Sequence, residues 1–334
     1  MIARRAVHGN RRASPLNRFN GNFAGLPSFA AAYQVLQFDR GATYAGTLHD
    51  VGGAGPVITA AGSLTGPPVP IWVKATSSGA LGVWTYEIYY DLGSTPAMSG
   101  ISTGTLVLTG AGDGVTLTIN AGAATSGNFW KLKYAAIADQ SPNNKTALQV
   151  SAPAQPLFGL LGTRTTATFE ASRSTYLRSP TLALPAPATT PHSTYLVFRW
   201  TGTVGTQAGV FGGSTGHAFY SRFGNPTNAN DPTMYNNGAF ANGQAGKALN
   251  QWYRAIVNWT GSTSDALKVG STAAVTGTNA GNSADSDMSY GGVASIAFPA
   301  NVEIALVAWV PGAVASFPDV DSAVSQYFQG IVQL

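Results

Sequence analysis

The chain has 334 residues, 40 of them Gly and 19 Pro, and only 10% are charged, against about 25% in an average soluble protein. Hydrophobic residues make up 44%, with seven Trp, thirteen Tyr and fifteen Phe, which excludes a disordered chain and leaves room for two compact domains. The absence of Cys removes disulfides, thiolate catalysis and Cys-based zinc sites, and no run approaches the roughly 18 apolar residues of a membrane-spanning helix.

The net charge of +4 belongs to one end. Arg4, Arg5, Arg11, Arg12 and Arg18 fall in the first twenty residues with no acid among them, and setting them aside leaves 13 basic against 14 acidic residues. Residues 1–30 lack helical or strand periodicity and read as an extended basic arm ordered against a partner, or as a disordered terminus. They show no apolar core of a secretory signal. Residues 29–44 turn apolar and aromatic, which suits a short helix or an entering strand.

From about residue 45 to 150, short apolar runs alternate with Gly, Ser, Thr and Pro. Strands are expected at 71–75, 84–90, 105–109, 115–120 and 129–135, a spacing that points to an antiparallel sandwich. In GVWTYEIYY the alternation places Trp84, Tyr86, Ile88 and Tyr90 on one face and Thr85, Glu87 and Tyr89 on the other. Pro, Asn, Ser and Ala then concentrate as in a linker, drawn at residues 146–157. A second strand-rich block follows, with runs at 165–169, 194–200, 209–211, 217–223, 252–259, 267–269 and 302–309. Only the end is helical: in SFPDVDSAVSQYF, Ser316 can cap, Pro318 opens the first turn, Asp319 and Asp321 suit its positive end, and Val320, Val324 and Phe328 share a face. The expected fold is therefore all-β, two consecutive antiparallel sandwiches behind an arm: 1–30 arm, 31–145 first sandwich, 146–157 linker, 158–334 second sandwich.

Two resemblances carry further. IWVKATSSGALGVWTYEIYYDLGS, followed by LVLTGAGDGVTLTINAGAATSGNFWKLKYAA, resembles a small β-sandwich module of phage virion proteins over about seventy residues. The second block is similar to the concanavalin A-like lectin/glucanase fold in its laminin G-like branch, a jelly roll. The carriers are FEASRSTYL, QWYRAIVNWTGS and EIALVAWVPGAVASFPDVDSAVSQYF, in family order, whereas LKVGSTAAV stands where the family has a V-D-G hairpin. By this resemblance Trp252, Trp259 and Trp309 are core residues. The first likeness implies a virion location and the second a lectin-like domain.

Glycanases of that fold carry E-x-D-x-E on one strand, because retaining hydrolysis needs two carboxyls about 5 Å apart. Here Glu87, Glu170 and Glu303 are the only glutamates and none has an acid two residues away. No activity and no catalytic residue is expected on that ground, and no cofactor beyond the calcium weighed below. The four His, at 8, 49, 192 and 217, show no metal spacing and read as structural or solvent-facing. GAGDGVT and GVFGGSTG lack the Lys of a phosphate-binding loop and read as hairpin turns. Asp285 and Asp287 in NSADSDMSY are the candidate calcium ligands, two hard oxygen donors on one loop, against a solvated acidic turn.

The Asn-rich stretch from 222 to 246 is long and polar, so it is either a binding loop or a subunit contact. Tyr235, Asn236 and Asn237 are its candidates for a glycan, an aromatic face for the ring and amides for its hydroxyls. The expectation overall is a non-enzymatic virion surface structural protein, a capsid decoration or head spike anchored by its Arg arm to other virion proteins. The alternative is a tail-associated adhesin that binds host surface polysaccharide. A homo-oligomer, possible as a trimer, is expected, without membrane insertion and with nucleic acid an improbable partner.

Overall fold

A computed structural model of the chain describes residues 22–44, 46–66, 68–90, 95–162, 164–202, 208–221, 232–236, 244, 247–261, 265–277, 283–292, 299–312, 318–328 and 332. The five arm arginines and Ser316 lie outside them. Five antiparallel sheets, one α-helix and five short 3-10 turns make up the described elements, so the all-β expectation holds.

The two sandwiches are nested, not consecutive. One sheet of the larger runs in the order Leu157–Leu161, Arg164–Phe169, Val302–Pro311, His192–Trp200, Tyr253–Trp259, Asp265–Val269 and Val275–Gly277, and Gln34–Gln37 also pairs with Val302–Pro311. The facing sheet runs from Ala42–Tyr44 through Tyr134–Ile137, Ala147–Leu148, Leu177–Ser179, Met288–Tyr290, Ala208–Gly213 and His217–Ser221 to Pro232–Asn236. Tyr44 sits opposite Tyr134 and Ala42 opposite Ile137, so the chain leaves the large sandwich after Tyr44 and re-enters it at Tyr134. The smaller sandwich is inserted between those two points. The boundaries drawn from sequence change accordingly: residues 34–44 and 134–148 belong to the large sandwich, and the supposed linker contains the strand Ala147–Leu148. The run expected at 129–135 divides into Phe129–Lys131 in the inserted sheet and Tyr134–Ile137 in the large one.

Folded structure also reaches into the stretch drawn as the N-terminal arm. Residues 23–25 and 27–29 form two 3-10 turns, the first capped by the Asn22 side chain accepting from the Ala24 N–H at 3.1 Å. Phe23 and Phe29 are fully buried against the C-terminal helix Pro318–Tyr327, with Phe23 stacked on Phe328 at 6.0 Å. Burying each ring stabilises by about 2–3 kcal/mol, which outweighs the weak turn propensity of the segment. The helix presents Val320, Val324 and Phe328 to the same cluster, on the face its periodicity predicts. Turns and helix together cover the outer face of the first sheet, so residues 302–310 are buried. Val302, Ile304, Val307 and Trp309 face the inter-sheet core, while Leu306, Ala308 and Val310 face the helix. A bulge at Ala305 lets the strand change phase between the two sets.

The inserted sandwich pairs His49–Asp50, Phe129–Lys131, Trp72–Ala75, Thr85–Tyr89 and Met98–Ile101 in one sheet and Ile58–Gly62, Val115–Ile119 and Thr105–Val107 in the other. Trp84, Tyr86 and Ile88 point into its core as the alternation requires, and Trp84 stacks on Trp130 at 5.7 Å. Gly62 and Gly114 cross where two strands meet. Both have positive φ, +92° and +88°, and a Cβ on Gly114 would stand 2.1 Å from the Ser63 carbonyl oxygen. Gly114→Ala is expected to lower stability by about 2–4 kcal/mol, left-handed backbone cost plus overpacking, read as a shift in the denaturant midpoint.

Candidate functional site

The seam between the two sandwiches holds a cleft of about 380 Å³ lined by Asp39, Arg40, Gly41, Pro68, Gln140, Arg164, Thr165 and Tyr327. Its floor comes from the large sandwich. Asp39 and Arg40 end the segment that follows Gln34–Gln37, Arg164 opens the strand Arg164–Phe169, and Tyr327 closes the C-terminal helix. Pro68 comes from the inserted sandwich, so the insertion builds one wall. Gly41, at φ +66°, turns the chain beneath Gln140, and a Cβ there would meet the Gln140 amide nitrogen at 2.6 Å.

The polar groups of this cleft are interlocked. Asp39 accepts from the Gln37 side-chain amide at 3.0 Å and from the Tyr327 hydroxyl. Burial raises the Asp39 carboxyl above its ordinary value, against the Tyr327 and Gln37 bonds and the charges of Arg164 and Arg40. Burial and the adjacent carboxylate push Tyr327 up to about 12. The Arg164 guanidinium lies over the Tyr327 ring, 4.2 Å from its centroid, and its Nε finds no acceptor among the described residues. Two guanidiniums, one carboxylate and one phenol thus meet in the same cleft.

The residues chosen from sequence lie elsewhere. Tyr235 is half-buried on the edge strand Pro232–Asn236, edge-on to Tyr220 at 6.4 Å. Asn236 pairs by backbone with His217, and Asn237 lies outside the described residues. Asp285 and Asp287 do not converge on a cation position. Asp285 accepts from the backbone N–H groups of Thr215 at 2.7 Å, Gly216 at 3.2 Å and His217 at 2.8 Å, from the Thr215 hydroxyl at 3.0 Å, and from His217 Nδ1 at 2.7 Å. Asp287 accepts from Arg178, with Nε at 2.9 Å. Asp285 thus accepts from protein donors through both oxygens and Asp287 through Oδ2. No group of three or more His, Asp or Glu side chains able to hold a metal occurs among the described residues.

Asp285 begins a relay that the sequence does not announce. His217 Nε2 meets His192 Nε2 at 2.9 Å, and His192 Nδ1 meets the Thr190 carbonyl at 2.9 Å. His192 must donate from Nδ1 to that carbonyl, so its Nε2 accepts from His217, which donates from its other nitrogen to Asp285. Burial, then the neighbouring His217, pushes His192 down to about 3. Burial works to raise Asp285, but the His217 and Thr215 donors prevail and hold it below its ordinary value. The rings lie between the two large sheets, with His217 4.9 Å from Trp259 and His192 6.2 Å from Trp309. Trp252, Trp259 and Trp309 are all buried, as the motif positions imply. No spacing links His192 with His217, which the sandwich brings together from opposite sheets.

No protein-family model matches the chain, and no curated protein matches it in sequence. Among solved structures, it is similar to an arabinofuranosidase complexed with arabinofuranosyl-alpha-1,2-xylobiose, at 10% identity and TM-score 0.47, over 90% of this chain and 62% of that one. A point mutant of a GH54 α-L-arabinofuranosidase soaked with 4-nitrophenyl α-L-arabinofuranoside matches at 14% identity and TM-score 0.44, over 64% of this chain and 56% of that one. The binding domain of botulinum neurotoxin DC in complex with SialylT matches at 8% identity and TM-score 0.33, over 58% and 48%. The chain thus spans less than two thirds of each. The expectation of a protein without enzymatic activity is corrected on this finding, since glycoside hydrolases stand among its structural neighbours. The missing E-x-D-x-E strand excludes one arrangement of carboxyls, whereas hydrolysis needs two at a suitable separation from any elements.

Proposed function

We propose that this protein is a virion surface protein whose large sandwich binds a host-surface glycan in the seam cleft. The cleft supports the binding reading: its volume of about 380 Å³ falls in the range of small-ligand sites. Donors and acceptors of several kinds converge there from rigid strands and a helix end, as recognition of a polyhydroxylated ring requires. The virion setting is supported by the resemblance of the inserted module and by the arginine arm, whose charge suits attachment to an acidic particle surface. The reading allows a decoration or head-spike position or, as the alternative, a tail-associated one, and a homo-oligomer such as a trimer would multiply the cleft.

Glycan-array binding by the full chain tests the reading. Arg164→Ala is expected to weaken the bound signal at least about tenfold, the worth of one charge-assisted hydrogen bond, while Tyr235→Ala leaves it unchanged. Loss on Tyr235→Ala alone moves the site to the Asn-rich edge, and binding to no glycan removes the reading. Antibody labelling of intact particles addresses the virion setting, and particles without label overturn it.

A further inference from the structure

We propose that a second cleft binds a small oxyanion of the sulfate or phosphate class between the Lys133 ammonium and the His49 imidazole. It shares no lining residue with the seam cleft, so this site does not rest on the glycan reading above.

The cleft, of about 360 Å³, is lined by His49, Asp50, Lys133, Ala152, Pro153 and Arg173. Four pieces of chain meet there: the strand His49–Asp50, the stretch after Phe129–Lys131 that carries Lys133, and the 3-10 turns Ala152–Ala154 and Ala171–Arg173. Its carboxylates are already engaged. Asp50 accepts from the backbone N–H groups of Gly52 and Gly53 at 3.0 Å and of Gly55 at 2.6 Å. Glu170 pairs with Arg173 at 2.9 Å, and Nη2 of that guanidinium donates to the Pro153 and Gln155 carbonyls at 3.2 Å. Arg173 therefore fixes the wall and supplies charge. Lys133 pairs with no carboxylate among the described residues, and its ammonium makes one bond, to the Ala152 carbonyl at 3.3 Å. Ala152 is exposed and lines the same cleft, so the ammonium stands at the wall with two of its three protons unspent. The half-buried His49 ring bonds to no described residue. Burial holds His49 below its ordinary value, and Arg173, Lys133 and Lys131 push the same way against Glu170. Burial likewise lowers Lys133, with Arg173 adding to it. An anion seated between the two groups reverses both shifts, whereas a neutral ligand leaves Lys133 without a counter-charge.

Titration calorimetry of the full chain with sodium sulfate and with inorganic phosphate, at constant ionic strength, tests this. Sulfate keeps its charge throughout, so its binding is expected to tighten at least about threefold as pH falls from about 7 to about 5 and His49 takes up a proton. Lys133→Met is expected to weaken sulfate binding at least about tenfold, and His49→Gln to leave weaker binding without the pH dependence. Thermal melts establish that the variants fold. The wild-type His49 ring resonance gives a reading free of substitution: its titration midpoint is expected to rise in sulfate over chloride. A sulfated galactose against galactose separates the sources. Tighter binding than inorganic sulfate assigns the oxyanion to a sugar ester and equal or weaker binding to a free ion, and both orders support the site. No binding of sulfate, phosphate or the sulfated sugar overturns the proposal. Binding that survives Lys133→Met unchanged, or that leaves the His49 midpoint where it is, overturns the assignment to this cleft. Because the two clefts share no lining residue, each reading can fail without the other.

Discussion

Replacing Asp285 by Ala is expected to lower unfolding free energy by about 3–5 kcal/mol, the scale for removing one member of a buried, hydrogen-bonded charge network. The carboxylate collects the backbone N–H groups of Thr215, Gly216 and His217 and the ring of His217, and the residue itself bridges to Leu184 through backbone bonds of 2.8 and 2.9 Å. Without it, the turn entering His217–Ser221 holds several buried donors facing one another. Asp285→Asn is expected to recover little, because an amide places its own N–H against donors. Asp287→Ala provides the contrast. Its partner Arg178 has a side chain 46% exposed, so the loss should stay below about 1 kcal/mol. Urea denaturation of the three variants reads these differences, and equal losses at 285 and 287 would sink the assignment. The same measurement with EDTA checks the cation question: the wild-type midpoint is expected to stay where it is, and a fall would return calcium to these carboxylates.

Acid is expected to weaken the fold through His192. Its folded-state value of about 3 lies below the ordinary 6.5, so between those limits the unfolded chain takes up a proton that the folded chain refuses. Stability therefore falls as pH drops below 6.5, by up to about 1.4 kcal/mol per unit, and levels off near pH 3 once the folded form is protonated too. Asp285, held below its ordinary value, adds a loss in the same direction at the acid end as pH falls through its folded-state value. Asp39 and Glu303, raised by burial, work against the trend, since each binds its proton earlier in the folded state. The comparison that isolates His192 is thus between wild type and His192→Asn across pH 4–7. The variant is expected to lose most of the slope, and an unchanged slope overturns the role given to His192.

Much of the secondary structure was legible in the chain because it follows from local periodicity. The alternation of Trp84, Tyr86 and Ile88 places all three inward, and the spacing of Val320, Val324 and Phe328 builds the helix face that closes the first sheet. The nesting was not legible. Residues 129–137 read as one apolar run, yet Lys131 faces His49 in one sandwich and Tyr134 faces Tyr44 in the other. Nothing local distinguishes the two, because a strand's periodicity reports which side is buried and not which sheet receives it. Phe23 likewise reads as part of an arm until a helix some 300 residues later offers it a surface.

The candidate sites divide in the same way. Tyr235 and Asn236 were chosen for residue type along one stretch, and the structure sets them on a sheet edge. Asp39, Arg40, Gln140, Arg164 and Tyr327, spread along most of the chain, form a cleft only because the inserted sandwich leaves and returns beside them. By itself the sequence determined an all-β chain, the faces its strands and helix bury, and a folded body whose basicity is confined to one end. These follow from nearest-neighbour patterning and composition. The tertiary structure alone decided the nesting, the His192–His217–Asp285 relay and the seam cleft, because each depends on pairings between residues far apart in the chain.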